Sequence, residues 1–117
     1  MNAKKNKETL IKGNAAIAAG EYETFLGFCA ETTRWEFVGE KTLTGKQAVR
    51  DYMQEFYIEP PKFTLIDIIA ENDFVTAIGS IQIKSESGDW AEYSYCDVWR
   101  FENGQMVDLR AFVIKCR

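Results

Sequence analysis

The chain has 117 residues, of which 46% are hydrophobic and 14% aromatic, and its net charge at pH 7 is −4. This length and apolar content suit one domain, spanning residues 1–117, that builds its own core. The acidic balance argues against nucleic acid and membrane as partners, because both require a basic surface. Residues 1–8 lack the apolar segment of a secretory signal. We therefore expect a cytoplasmic protein whose residues 1–7 form a flexible arm.

Histidine is absent, and the three cysteines, Cys29, Cys96 and Cys116, lie far apart in the sequence. The lack of histidine excludes Ser-His-Asp and Cys-His catalysis as well as histidine metal sites. No Cys-x-x-Cys pair supports a zinc or redox site, so reduced thiols are the simplest interpretation. We expect neither a metal nor an organic cofactor. Proton transfer would then depend on Asp, Glu, Tyr, Lys or Cys.

Two helices are predicted at the start of the chain. The segment from Glu8 to Ala19 places apolar residues along one stripe, and Gly20 provides a left-handed end to the helix. The segment from Glu21 to Ala30 repeats apolar residues at helical spacing. The single glycine between them predicts a compact helical hairpin.

A short strand and a third helix follow. The strand is predicted from Thr33 to Val38, because the segment is rich in β-branched and aromatic residues. A segment of turns leads to a capping-box pattern from Thr44 to Gln47, which predicts the start of a helix. That helix should end near Tyr57, because two prolines come soon after it.

Beyond residue 61 the apolar period changes from 3.6 to 2, which is typical of strands. The predicted strands are Phe63–Ala70, Phe74–Lys84, Trp90–Phe101 and Gln105–Lys115. Their short connections, one of which contains the Asn-Gly hairpin signal, require an antiparallel meander. The element order α-α-β-α-β-β-β-β predicts an α+β fold, in which three N-terminal helices pack on a curved antiparallel sheet.

The strand from Trp90 to Phe101 carries an aromatic row that one acid interrupts. The residues of that row are Ala91, Tyr93, Tyr95, Asp97, Trp99 and Phe101. A lone carboxylate breaks the pattern of a core-facing strand and marks a candidate site. Two interpretations of Asp97 are open. It is either an acid of raised pKa in an apolar pocket, or a structural residue that Tyr or Trp donors satisfy.

Three stretches carry a resemblance to a known superfamily. They are the helix junction from Ala15 to Glu21, Gly45 before the third helix, and the hairpin from Asp97 to Arg110. They resemble the nuclear transport factor 2-like superfamily, which includes ketosteroid isomerases and SnoaL-like polyketide cyclases. The resemblance implies a cone-shaped fold, a cavity between helices and sheet for a small apolar ligand, and a homodimer.

The resemblance also implies roles for two acids. In ketosteroid isomerases an aspartate on the strand before the last hairpin binds the enolate oxygen, and Asp97 falls at that position. A carboxylate on the first strand acts as the base there, and Glu36 matches it. The helix-one tyrosine of those enzymes is replaced by Gly13. From the residues alone, Glu36 is equally interpreted as a solvated partner of Arg34, on the face opposite Trp35.

Aromatic side chains are the candidates for the wall of the ligand site. They are Trp35, Tyr52, Phe56, Tyr93, Tyr95 and Trp99. The alternative is that these residues fill a packed core. The leading prediction is thus a SnoaL-like cavity protein that enolises, isomerises or cyclises a carbonyl-bearing ligand. A binding or dimerisation module without chemistry and an interaction scaffold are the alternatives.

The last strand has an apolar second face. Its residues are Met106, Asp108, Arg110, Phe112 and Ile114. This face is too apolar for a solvated surface, so the sequence predicts a homodimer through the outer sheet face. The alternative is a smaller exposed face on which Asp108 pairs with Arg110.

Overall fold

The computed structural model describes residues 2–116. The elements in chain order are α1 (Ala3–Ala18), α2 (Tyr22–Leu26), β1 (Cys29–Phe37), β2 (Lys41–Thr44), α3 (Lys46–Phe56), β3 (Lys62–Glu71), β4 (Phe74–Lys84), β5 (Trp90–Glu102) and β6 (Gln105–Lys115). The α+β class is confirmed, with three helices and a six-stranded sheet. None of the described helices is long and apolar enough to cross a membrane.

The six strands form one sheet in the order β2-β1-β6-β5-β4-β3. Strands β3 to β6 make the predicted antiparallel meander. The prediction of a wholly antiparallel sheet is wrong, because β1 pairs with β6 in parallel. This pairing joins segments that lie about 75 residues apart, so no local sequence pattern predicts it.

The predicted arm over residues 1–7 is wrong for residues 3–7, which form the first turns of α1. Asn6 is only 2% exposed, and its N–H donates to the carbonyl oxygen of Asn2 at 2.8 Å. The lysines that suggested an arm do not oppose the helix, since Lys4 and Lys5 point to solvent. Met1 lies outside the described residues.

The second predicted helix is shorter than its apolar spacing indicated. It ends at Leu26 rather than Ala30, and Cys29 already belongs to β1. The backbone explains the difference, because the N–H of Met106 donates to the carbonyl oxygen of Phe28 at 2.9 Å. Pairing with β6 therefore replaces the last helical turn.

The predicted capping box at the third helix does not form. Gly45 is the N-cap residue, without a side-chain hydrogen bond, and its φ of 91° favours glycine. Thr44 instead closes β2, opposite Arg34 of β1. The segment predicted as turns thus contains an edge strand, and the N–H of Gly45 donates to the carbonyl oxygen of Thr33 at 2.7 Å.

The core lies between the helices and the inner face of the sheet. Its fully buried side chains include Leu10, Phe25, Leu26, Val49, Met53, Val75, Phe101 and Met106. The placement of Met106 on the outer face was wrong. A register shift between Arg100 and Phe101 interrupts the alternation of the hairpin, and Met106 packs beneath α1 near Gly13.

Candidate functional site

A pocket of about 490 Å³ lies between the helices and the inner face of the sheet. Alternation along β5 directs a continuous row of side chains into it. The members of that row at the pocket are Ala91, Tyr93, Tyr95, Asp97 and Trp99. Phe101, the last residue of the predicted row, is buried in the core instead.

The six aromatic residues predicted for the wall all line this pocket. They are Trp35, Tyr52, Phe56, Tyr93, Tyr95 and Trp99. Trp35 and Trp99 pack edge to face, with ring centroids 5.6 Å apart. Tyr52 joins the rings of Phe37 and Phe56, at 5.1 Å and 4.8 Å. The wall of this pocket is therefore largely aromatic.

Asp97 lies in the middle of β5, between Ala77 of β4 and Ala111 of β6. These small neighbours leave the space above the carboxylate open. The side chain is half-buried and faces the aromatic wall. Burial raises the pKa of Asp97 to about 7, and no cation or hydrogen bond among the described residues offsets that effect. The carboxyl group of Asp97 therefore gains and loses its proton near neutral pH.

Two tyrosines share the electrostatic environment of Asp97. Burial and, to a smaller extent, the charge of Asp97 raise the pKa of Tyr95 to about 12. Burial raises the pKa of Tyr57 as well, with smaller contributions from Tyr52 and Asp97. Both tyrosines thus keep their hydroxyl protons at neutral pH. Sequence reasoning missed Tyr57, which is the C-cap residue just beyond the end of α3.

The pocket wall contains buried polar atoms that have no partner. Among residues 2–116, no hydrogen bond satisfies Nε1 of Trp35, Nε1 of Trp99 or the hydroxyl of Tyr95. Buried polar groups are nearly always paired, with protein or with ordered water. These three atoms therefore stand out beside the pocket as polar groups that the described residues leave without a partner.

The structure does not bring Glu36 to Asp97. Trp35 and Phe37 take the inner face of β1, so alternation directs Glu36 to the outer face. Across the parallel register, Glu36 lies opposite Arg110 of β6. The structure therefore places Glu36 on the face opposite Trp35 and not at this pocket.

The position of the missing tyrosine also has a structural explanation. A Cβ atom on Gly13 would come within 3.0 Å of Phe25 Cδ1, so α1 and α2 pack too closely for a large side chain there. The residues of α1 that reach the pocket are Asn14 and Ile17. Among the described residues, α1 therefore brings no hydroxyl group to the pocket. Tyr57 reaches the pocket from the end of α3.

Charged residues surround the opening of the pocket. The exposed lining residues with carboxylates are Glu40, Glu55 and Glu86. Lys84 also lines the pocket, and its ammonium group pairs with Glu59. Within residues 2–116, no cluster of histidine, cysteine and acidic side chains has the geometry to hold a metal ion.

Comparisons with known proteins identify a matching family and solved structures with a similar fold. The family model of the SnoaL-like domain matches residues 12–109. No curated protein sequence matches the chain. Bal32a, from a soil-derived mobile gene cassette, is similar in structure, with a TM-score of 0.86 and 22% identity over 97% of this chain and 92% of its own.

Two further solved structures have the same fold. SalBIII, an epoxide hydrolase/cyclase-like enzyme with a role in pyran ring formation in the polyether salinomycin, has a TM-score of 0.86 and 17% identity over 94% of this chain and 91% of its own. A nuclear transport factor 2-like protein of unknown function from Cytophaga hutchinsonii has a TM-score of 0.75 and 21% identity over 92% of this chain and 98% of its own. The chain belongs to the SnoaL-like domain family.

Proposed function

We propose that this protein binds a small, carbonyl-bearing apolar ligand and promotes its enolisation, with Asp97 as acid and oxyanion donor. The observation that carries the proposal is Asp97 itself, a carboxyl without a partner whose pKa is raised to about 7 inside an aromatic pocket. A neutral carboxyl there donates a hydrogen bond to a carbonyl oxygen. That bond strengthens as negative charge develops on the oxygen.

The proposed step uses Asp97 without a second carboxylate beside it. The neutral carboxyl polarises the carbonyl group, and the α-proton leaves to water at the opening, since Glu36 faces away. Return of a proton at another carbon gives isomerisation, whereas attack of the enol on an internal carbonyl gives cyclisation.

The test is exchange of α-protons of 2-tetralone, a two-ring enolisable ketone, followed by NMR in D₂O. We expect the protein to accelerate exchange over buffer, by a factor that falls as pH rises above 7, because the active carboxyl then ionises. Acceleration of exchange that increases steadily through pH 7 and 8 would assign the step to a base rather than to neutral Asp97.

A second candidate is a binding module without chemistry. The position of Glu36 on the outer face favours it, because Asp97 then lacks the base that enolisation in ketosteroid isomerases uses. This candidate predicts saturable binding of 2-tetralone with an exchange rate equal to that in buffer. The same two measurements, binding and exchange, therefore separate the candidates.

We also propose that the outer sheet face pairs two copies of this chain. Phe112 and Ile114 on this face are 40% and 70% exposed. Glu36 and Arg110 are opposite in register, so a two-fold related copy would meet complementary charges.

We expect sedimentation of the wild-type protein at micromolar concentration to give twice the chain mass, and sedimentation of Ile114→Lys to give the mass of one chain. Ile11→Lys, on exposed α1, is the control; a wild-type monomer would refute the dimer.

A further inference from the structure

The opening of the pocket has two opposing sides. One side is the connection between α3 and β3, residues 57–61, from which Ile58 lines the pocket and is 49% exposed. The other side is the end of β4 with the turn that follows it, residues 83–89, from which Ser85 and Glu86 are exposed lining residues. These two segments therefore bound the pocket at a place where it meets solvent.

A single ion pair joins the two sides. The ammonium group of Lys84 donates to Oε2 of Glu59, and their side chains are 27% and 50% exposed. Within residues 2–116, no other side-chain hydrogen bond or ion pair connects residues 57–61 to residues 83–89. Lys84 lines the pocket and Glu59 does not. The contact therefore lies at the edge of the opening, with one of its partners outside the ligand site.

The connection between α3 and β3 is anchored on both sides of Glu59. Before it, the ring of Tyr57 packs against the ring of Tyr22, with centroids 5.8 Å apart. After it, Pro61 is among the fully buried side chains. Between these anchors Ile58 and Glu59 form an exposed bend that belongs to no helix or strand. Segments with few buried contacts open at a low free-energy cost, so this bend is the part of the opening that can move.

The opposing turn is braced by its own hydrogen bonds. The N–H of Ser85 donates to the carbonyl oxygen of Asp89 at 2.8 Å, and the N–H of Gly88 donates to the carbonyl oxygen of Ser85 at 2.9 Å. Lys84 also pairs in register with Trp90 of β5, at the end of a long antiparallel pairing. The turn is therefore the fixed side of the opening, and the ammonium group of Lys84 is the charge that holds the bend against it.

We infer that the Lys84–Glu59 pair is an ionic latch, which holds the bend closed over the pocket and must open before a ligand enters or leaves. The inference rests on the proposed function in taking the pocket as the ligand site, and it adds how exchange of the ligand is controlled. Exposed ion pairs contribute little free energy, so the latch opens often. A latch that recloses over the bound ligand changes the rates of binding and release by the same factor and leaves the dissociation constant unchanged.

Stopped-flow binding of prodan, a neutral fluorescent naphthyl ketone, tests the latch. Association and dissociation rate constants are measured at low and at high ionic strength. Because the probe is uncharged, salt does not act by steering it to the pocket; salt acts on the exposed ion pair, which it screens. In the wild type we expect both rate constants to rise about threefold at high salt, with a dissociation constant that changes by less than about 1.5-fold.

Two variants assign the effect to the latch. Glu59→Gln removes the ion pair without changing a lining residue, so both rate constants should rise about threefold and lose their salt dependence. The matched control Glu31→Gln breaks the Lys46–Glu31 pair, whose residues do not line the pocket, and it should behave as the wild type. The charge exchange E59K/K84E rebuilds the pair in reverse and should restore the wild-type rates to within about twofold.

The outcomes separate this inference from the proposed function. Faster exchange of prodan in Glu59→Gln, reversed by the charge exchange, supports the latch. Rate constants in Glu59→Gln that equal those of the wild type at both salt concentrations overturn it and leave the role of Asp97 standing. A dissociation constant that rises more than about threefold in Glu59→Gln, with an unchanged association rate, also overturns it, because the pair then contributes to affinity and not to exchange. Failure of prodan to bind the wild type overturns the ligand site itself, and with it both proposals.

Discussion

The two faces of the sheet treat their charged and polar groups in opposite ways. On the outer face Arg100 donates from Nε to Asp108 Oδ2 at 2.8 Å and from Nη1 to Glu102 Oε2 at 2.7 Å. On the inner face the carboxylate of Asp97 and the buried Nε1 of Trp99 find no such partners among the described residues. Strand β5 contributes to both faces, because its successive side chains point to opposite sides of the sheet.

The difference in pairing bears on the role of the polar groups on each face. Polar groups that only stabilise a fold are paired within it, because an unpaired buried group costs about 1–3 kcal/mol. A fold that leaves several such groups unpaired at one open pocket gives up stability there. The paired charges of Arg100, Glu102 and Asp108 are consistent with a structural role on the outer face, whereas the pocket face leaves Asp97 without a partner among the described residues.

The largest expected effect is on turnover. Asp97→Asn keeps the size of the side chain and removes its acidic proton, so we expect exchange of 2-tetralone protons to fall by about 10²-fold or more. Asp108→Asn makes the same chemical change on the outer face and should leave the exchange rate within twofold. Similar losses of exchange rate in both variants would mean that exchange does not depend specifically on the carboxyl group of Asp97.

The next effect concerns the pH dependence of stability. Burial raises the pKa of Asp97 from 3.8 to about 7, so between those values the folded state holds a proton that the unfolded state releases. Its stabilising contribution is therefore complete below about pH 4 and is lost as pH rises to 7, by at most about 4 kcal/mol. In urea unfolding, wild type should lose about 2 kcal/mol more than Asp97→Asn between pH 5 and 7. Parallel pH curves would contradict the raised pKa.

A third variant tests how the inner face holds Tyr95. A Cβ atom at Gly79 would lie 2.1 Å from the backbone oxygen of Thr64 and 3.0 Å from the Tyr95 hydroxyl. Gly79→Ala must therefore displace backbone, and we expect it to lower the free energy of unfolding by about 3 kcal/mol. Gly27→Ala, where the nearest atom is Thr24 O at 3.2 Å, is the control and should cost less than about 1 kcal/mol. Equal costs would show that β3 is free to move.

The smallest effect belongs to the outer face. Arg100 and Asp108 each expose 35% of their side chains, so water screens the pair. We expect Asp108→Asn to lower the free energy of unfolding by about 0.5 kcal/mol in denaturant titrations. A loss above about 2 kcal/mol would mean that this pair is a major support of the sheet rather than a surface contact.

The sequence predicted the parts of the site that alternation determines. The period of two along β5 places Tyr93, Tyr95, Asp97 and Trp99 together at the pocket, whatever the partner strands are. The same rule applied to β1 predicts the outer face for Glu36, where the structure places it, whereas the resemblance to ketosteroid isomerases implied a position at the pocket. A local pattern was the better guide there, because a matching position does not fix the direction of a side chain.

The parts that were missed depend on distant contacts. The parallel pairing of β1 with β6 shortens α2 and buries Met106, and no local residue pattern encodes it. Thr44 matched a cap but joined β2, since pairing with Arg34 competes with capping. Tyr57 lies just beyond the end of α3, where helical periodicity no longer assigns a face.

The most direct test of the account is the pKa of Asp97 in the folded protein. Carbon-13 NMR of the side-chain carboxyl, assigned by the resonance that is absent from Asp97→Asn, would follow its titration from pH 3 to 9. The account predicts a midpoint at about 7, raised by burial in the pocket. A midpoint close to the ordinary value of 3.8 would show a solvated or paired carboxylate and would contradict the proposed role of Asp97.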